Sequence, residues 1–272
     1  MLTGILVGVA QRPAVAAVTS VKGSACTYYV NVGLFGGPQK FMGCGSGVPT
    51  TDISYSPRVT LPAGGGTVSE DDAPCPSSTP CSTGAKAIYG PAVLHGGLWP
   101  QDVASKPLSG PQHASTSGTT GAVGSVTSSA SITLNPQPYP EVTCRTGFLP
   151  PPGHTGCLEP GGFGGSPLWG DSVAARCSAN ETGVSGSSTF SNTFLATATD
   201  SNGDPLPSAT EAIPNNPPAN YTRSGVVTNV GDVFAVVFNQ QIVNPDKSLT
   251  VNAMHMYLFG PTAVGDLVNG QV

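Results

Sequence analysis

The sequence predicts an all-β fold: an antiparallel sandwich of two sheets with long Gly/Pro-rich, disulfide-tied loops, and a β-solenoid as the alternative. Three observations carry this. Apolar residues alternate with hydroxyl residues in several runs, the period-two signature of half-buried strands. Turn formers are dense, with 36 Gly and 27 Pro among 272 residues, and they cluster between those runs. No stretch places apolar residues at i, i+3, i+4 and i+7 over three turns, so almost no helix is expected.

The elements follow in order. In "CTYYVNVGLF" (Cys26 to Phe35) Tyr28, Val30, Val32 and Leu34 share one face. "RVTL" from Arg58 is a strand that ends in the turn "PAGGG" at Pro62. "AKAIYGPAVL" (Ala85 to Leu94) is a strand interrupted by Gly90 and Pro91. "GSVTSSASITL" (Gly124 to Leu134) is the clearest: Val126, Ser128, Ala130, Ile132 and Leu134 oppose Thr127, Ser129, Ser131 and Thr133. "STFSNTFLATAT" (Ser188 to Thr199) is rich in β-branched and aromatic residues. "DVFAVVFNQQIV" (Asp232 to Val243) is apolar on both faces over its first half, as in a strand covered on both sides. In the last stretch, parity puts Leu249, Val251, Ala253, His255, Tyr257 and Phe259 on one face. His255 then reads as a buried, neutral imidazole on an apolar face. Gly260 and Pro261 turn the chain into the final strand "AVGDLV".

Composition bounds the function. Charged residues are 9%, against a usual ~25%. The ten Lys and Arg are scattered singly and the net charge is -5, so no basic patch exists for nucleic acid. No apolar run reaches the ~18–20 residues that span a bilayer. "LTGILVGVA" followed by "AVAA" makes residues 1–17 look like a secretory signal without its basic start. Residues 18–272 then form one domain, with a Gly/Pro-dense loop insertion at 141–170.

Seven cysteines are present without a C-x-x-C pair. A zinc ribbon or thioredoxin-like site is thereby disfavoured, and "HTGC" (His154 to Cys157) lacks two further ligands. In an exported chain disulfides are the better reading. Cys75 with Cys81 and Cys144 with Cys157 form plausible short loops. The odd count leaves one thiol free or paired outside the chain.

Candidate chemistry is thin. No G-x-S-x-G elbow exists, and His95, His113, His154 and His255 carry no triad signature. Glu70, Asp71 and Asp72 sit together in "SEDDAP", more suited to a solvated loop than to a glycosidase pair. Asp200, Asn202 and Asp204 in "DSNGD" offer alternate oxygens for calcium, although Asx-Gly pairs are also ordinary hairpin turns. "LPAGG" at Leu61 resembles a sortase motif only superficially, far from the C-terminus. Asn180 and Asn220 head N-x-T sequons, which suggests exposed loops. Trp99 and Trp169 stand in Gly/Pro-rich loops, where exposed tryptophans could stack on sugars.

Several stretches resemble the choice-of-anchor P family of secreted bacterial proteins. They are "GTTGAVGSVTSSASI" (Gly118 to Ile132), "DSVAARCSANETGVSGSSTF" (Asp171 to Phe190) and "LTVNAMHMYLFG" with "GDLVNGQ" (Leu249 to Gln271). "SACTYYVNV" and "LPAGGG" fit as well, while residues 141–170 depart from the family pattern. The resemblance implies export, often a C-terminal surface anchor, and no catalytic residues. It also implies a chain that continues past "GDLVNGQ" to a cysteine, which makes the C-terminus truncated and gives Cys177 a partner beyond Val272.

The expected function is therefore a secreted cell-surface or cell-envelope structural protein without catalytic activity. An alternative is an extracellular carbohydrate- or matrix-binding module using Trp99 and Trp169. A third is a secreted hydrolase, which requires a histidine within hydrogen-bond reach of a serine or acid in a cleft.

Overall fold

The computed structural model describes residues 18–34, 37–42, 58–72, 112–134, 168–200, 205–228, 231–261 and 263–272. Cys44, Cys75, Cys81, Trp99, Cys144 and Cys157 lie outside them, as do Asn202, Asp204, the strand expected at 85–94 and most of the 141–170 insertion. Among the described residues there are fifteen strands and one 3-10 turn, Pro207–Ala209.

Seven strands form the larger sheet. Its order is β12 (Tyr221–Val227), β13 (Asp232–Val243), β14 (Leu249–Phe259), β15 (Ala263–Gln271), β1 (Ser24–Leu34) and β2 (Gly37–Met42), with β3 (Arg58–Thr60) on the start of β1. A five-stranded sheet runs β4 (Gly66–Asp72), β5 (Gln112–Thr119), β6 (Ser125–Thr133), β8 (Ser172–Asn180) and β9 (Gly183–Ser191). A small sheet joins β11 (Thr210–Ala212), β10 (Phe194–Ala196) and β7 (Leu168–Trp169). Every pairing between these strands is antiparallel.

The two large sheets face each other as a sandwich. β14 lies over β8 and β9, β15 over β6 and β8, and β1 over β5 and β6. One continuous core fills the space between them. Ala130, Ile132, Val173, Ala175 and Phe190 meet Phe234, Val236, Phe238, Val251, Ala253, Met254 and Met256. The small sheet adds Leu168, Leu195 and Ile213. Each large side chain so buried contributes about 1.5–3 kcal/mol. Phe190 meets Phe238 edge-on at 5.4 Å and 83°, the geometry ring quadrupoles favour. The sheets approach closely at Gly186, where a Cβ would lie 2.2 Å from Val251 Cγ2.

The pattern of β6 emerges as expected: Val126, Ser128, Ala130, Ile132 and Leu134 are all buried. Ser128 is tolerated in the core because its hydroxyl meets Thr116 Oγ1 at 2.9 Å. "PAGGG" is a turn, with Gly65 N–H donating to Pro62 O at 3.1 Å. Gly64 there has φ 92°, a conformation open to glycine. The expected final strand is β15.

Three expectations need correction. First, β13 is buried on one face only: Phe234, Val236 and Phe238 are inside, while Val233 is 47% exposed. Second, the run from Ser188 to Thr199 is not one strand. Asn192, at φ 43°, breaks it into β9 and β10, held by Asn192 Nδ2 donating to Asp171 Oδ2 at 2.6 Å. Third, parity fails along β14. Val251 and Ala253 face the core, and so do Met254, Met256 and Leu258.

The third coincides with irregular backbone on the two strands that flank β14. The register pairs Phe238 with Met254 and Gln240 with Asn252, so Asn239 stands level with Ala253. It pairs Asn252 with Gln271 and Met254 with Asn269, so Gly270 is level with Ala253 on the other side. Asn239 has φ 49° and Gly270 φ 62°. The faces exchange at each left-handed residue, while the register continues across it without a shift. Asn239 is held by its Nδ2 donating to Pro217 O at 2.9 Å. Its backbone carbonyl accepts from Asn220 N–H at 2.9 Å.

Candidate functional site

The exchange of faces assembles a polar cluster on the outer surface of the seven-stranded sheet. Gln240 and Asn252, from one side of the level marked by Asn239 and Gly270, turn outward to join His255 and Tyr257 from the other. Asp266 and Gln271 enter from β15. His255 Nδ1 lies 2.7 Å from Gln240 Oε1, and its Nε2 lies 3.1 Å from Asp266 Oδ2. Gln240 Nε2 donates to the Tyr257 hydroxyl at 2.9 Å. Asn252 Nδ2 donates to Gln240 Oε1 at 2.7 Å. Gln271 Nε2 donates to Asn252 Oδ1 at 3.1 Å. Asn252 is 2% exposed, and a polar group at that depth must be hydrogen-bonded.

The imidazole is also stacked on Tyr257, with ring centroids 4.0 Å apart, and Tyr257 is followed by Phe259 at 6.4 Å. Burial pushes the His255 imidazole below its ordinary value, against the opposing pull of Asp266. Across the sheet His255 is level with Val237 and the buried Val268, the apolar neighbours expected of that face, but polar groups hold its ring. It is half-buried among amides, a phenol and a carboxylate.

The cluster bears directly on acid–base chemistry. A general base needs a ring nitrogen directed at its proton donor. Here both ring nitrogens meet oxygens of the protein itself, and neither oxygen belongs to a serine. The hydroxyl in the cluster is that of Tyr257, and it bonds Gln240. His255 does reach an acid, Asp266, which is half of what the hydrolase reading asks. The two ring contacts tie it to β13 and β15.

The remaining candidates are dispersed. Trp169 is a strand residue rather than a loop residue. It pairs with Phe194 in register and stacks on it at 5.8 Å and 18°, so one ring face is occupied. Asp200 stands at the start of the "DSNGD" stretch, whose residues 201–204 lie outside the described residues; Thr199 and Pro205 on its flanks are bridged antiparallel. Among the described residues no group of three His, Cys, Asp or Glu converges on a metal-sized space. His113 lies on β5, in the other sheet. Asn180 and Asn220 are exposed. Asn180 Oδ1 accepts from the backbone N–H of Thr182 at 2.8 Å and of Gly183 at 3.2 Å, capping the β8–β9 hairpin.

Cys177 is a free thiol on β8, half-buried, with Sγ 3.8 Å from Leu249 O. Burial raises its pKa. Cys26 is buried and disulfide-bonded; the spacing argument, which favoured short loops, passed over it.

The outer face of the five-stranded sheet is of another kind. Cross-strand rows read Ser69, Ser115, Ser129, Arg176, Ser187 and Thr67, Ser117, Thr127, Ser178, Ser185. Neighbouring hydroxyls bond one another: Ser115 with Ser129 at 2.7 Å and Thr127 with Ser178 at 3.2 Å. No helix of the described residues is long and apolar enough to cross a membrane. No family model, curated protein or solved structure matches the chain.

Proposed function

We propose that the protein is a secreted, non-catalytic structural component of the cell surface, in contact with envelope or extracellular-matrix polymers. The observation that carries this is the hydroxyl-coated outer face of the five-stranded sheet. Within each of the two rows its hydroxyls follow one another across the strands about 4.7–4.9 Å apart, with Arg176 the one charged residue in them, a surface suited to neutral, hydrated polymers. The internal bonding of both His255 nitrogens supports the non-catalytic part. The resemblance to choice-of-anchor P proteins supports export: its three stretches fall on β5–β6, β8–β9 and β14–β15, neighbouring strands of the two facing sheets.

The test is protease shaving of intact source cells, with fractionation of medium, envelope and cytosol. The proposal expects peptides of β4–β6 and β8–β9 in the shaved or envelope fraction. Recovery of the protein solely from the cytosol overturns it.

A further inference from the structure

Beyond that reading, we propose that protonation of His255 reverses the direction of a chain of side-chain hydrogen bonds through Gln240, Asn252 and Gln271, so that the charge of one imidazole on β14 is registered on β13 and β15.

The argument rests on donors and acceptors. With the amides as placed, Gln240 Oε1 accepts at His255 Nδ1 and Asp266 Oδ2 accepts at Nε2. Both ring nitrogens must then carry hydrogen, and the imidazole is a cation. The neutral ring has one N–H, and Asp266, an acceptor only, holds it on Nε2. Nδ1 then needs a donor. Rotating the Gln240 amide by half a turn supplies one without moving a heavy-atom position.

The rotation cannot stop there. The rotated Gln240 Nε2 occupies the place that accepted from Asn252, so Asn252 must rotate to offer Oδ1. Gln271, which donated to Asn252 Oδ1, must rotate to accept from Nδ2. At the other end, Gln240 Oε1 now accepts from the Tyr257 hydroxyl. Each state satisfies every bond of the chain, and a mixed state sets two donors or two acceptors face to face. That mutual exclusion makes the relay two-state. Proton uptake at Nδ1 selects one direction and proton loss the other.

Among the described side chains, few titratable groups face His255 from the surrounding strands. Asp266 comes from β15 and Tyr257 from β14 itself. The register sets Val237 of β13 and Thr222 of β12 level with His255, then Val268 of β15 and Tyr29 of β1 on the other side. Lowering of the His255 proton affinity by burial places the reversal on the acid side of neutrality.

The test is a pH titration of the full chain by NMR between about pH 8 and 5, with 15N in histidine rings and in Asn and Gln side chains. The amides of Gln240, Asn252 and Gln271 should shift with the same midpoint as the His255 ring nitrogens. The neutral ring should carry its hydrogen on Nε2. Amide signals that stay fixed while His255 titrates overturn the proposal, as does a neutral ring protonated on Nδ1. In Asn252→Leu the Gln271 response should vanish while that of Gln240 persists; if Gln271 still follows His255, the coupling is through space and no relay exists. If that variant does not fold, the wild-type titration decides alone.

Discussion

Substituting Asn239 tests the account of how the outer cluster is built. Asn239 is 5% exposed at φ 49°. Asn tolerates that left-handed conformation, while a β-branched residue pays roughly 1–2 kcal/mol for it. Its Nδ2 satisfies Pro217 O at 2.9 Å, and leaving such a carbonyl unpaired costs about 1–3 kcal/mol. Asn239→Val should therefore destabilise the protein by about 2–5 kcal/mol. Asn239→Gly keeps the backbone relaxed and loses the side-chain bond, so it should cost about 1–3 kcal/mol. The gap between the two isolates the backbone share. Urea unfolding followed by circular dichroism at constant m measures both. If valine costs no more than glycine, residue 239 is not held in the left-handed conformation that coincides with the face exchange, and the reasoning is wrong.

Other substitutions probe other links. Phe238→Ala, which empties a fully buried site between Phe190 and Tyr221, should cost about 3–5 kcal/mol by the same assay, and a loss under 1 kcal/mol would contradict the packing described. Gly186→Val should prevent the close approach of the sheets at Val251, seen as a lowered Tm and lost near-ultraviolet dichroism; retention of both argues against that contact. Because burial depresses the folded His255 pKa below its ordinary 6.5, the unfolded chain takes the proton first, so stability is complete above that value and declines as pH falls below it. His255→Phe should flatten this slope relative to wild type, and equal slopes would remove His255 as its source. Cys177, half-buried with a raised pKa, should alkylate slowly in the native protein at neutral pH and quickly in urea, as read by peptide mass mapping; equal rates would contradict its burial.

The sequence announces the sandwich wherever side chains differ sharply in polarity from one residue to the next. In β6, hydroxyl residues alternate with Val, Ala and Ile, so parity alone sorts core from surface. In β14 parity misleads because Ala253 is small enough for either face and Met254, Met256 and Leu258 are as apolar as their neighbours. The signal that corrects it lies elsewhere, in Asn239 and Gly270, and neither is unusual until the strands are set side by side. The same holds for the polar cluster. Gln240, Asn252, His255, Asp266 and Gln271 carry no motif spacing; register alone brings them together. Trp169 was misread because β7 is only two residues long and its stacking neighbour Phe194 is remote in sequence. Cys26 was passed over because spacing cannot rank pairings among seven cysteines.

The seat of β1 beside β15 has a kinetic consequence. Eight registered pairs join the strand beginning at Ser24 to the one ending at Gln271. During synthesis β1 cannot find this neighbour until Ala263–Gln271 has emerged. Closure of so distant a pair is slow, since loop entropy is lost before any contact compensates for it. The pairing of β1 with β15 is thus among the last contacts to form, and until then the edge of β1 that β15 covers stays unpaired.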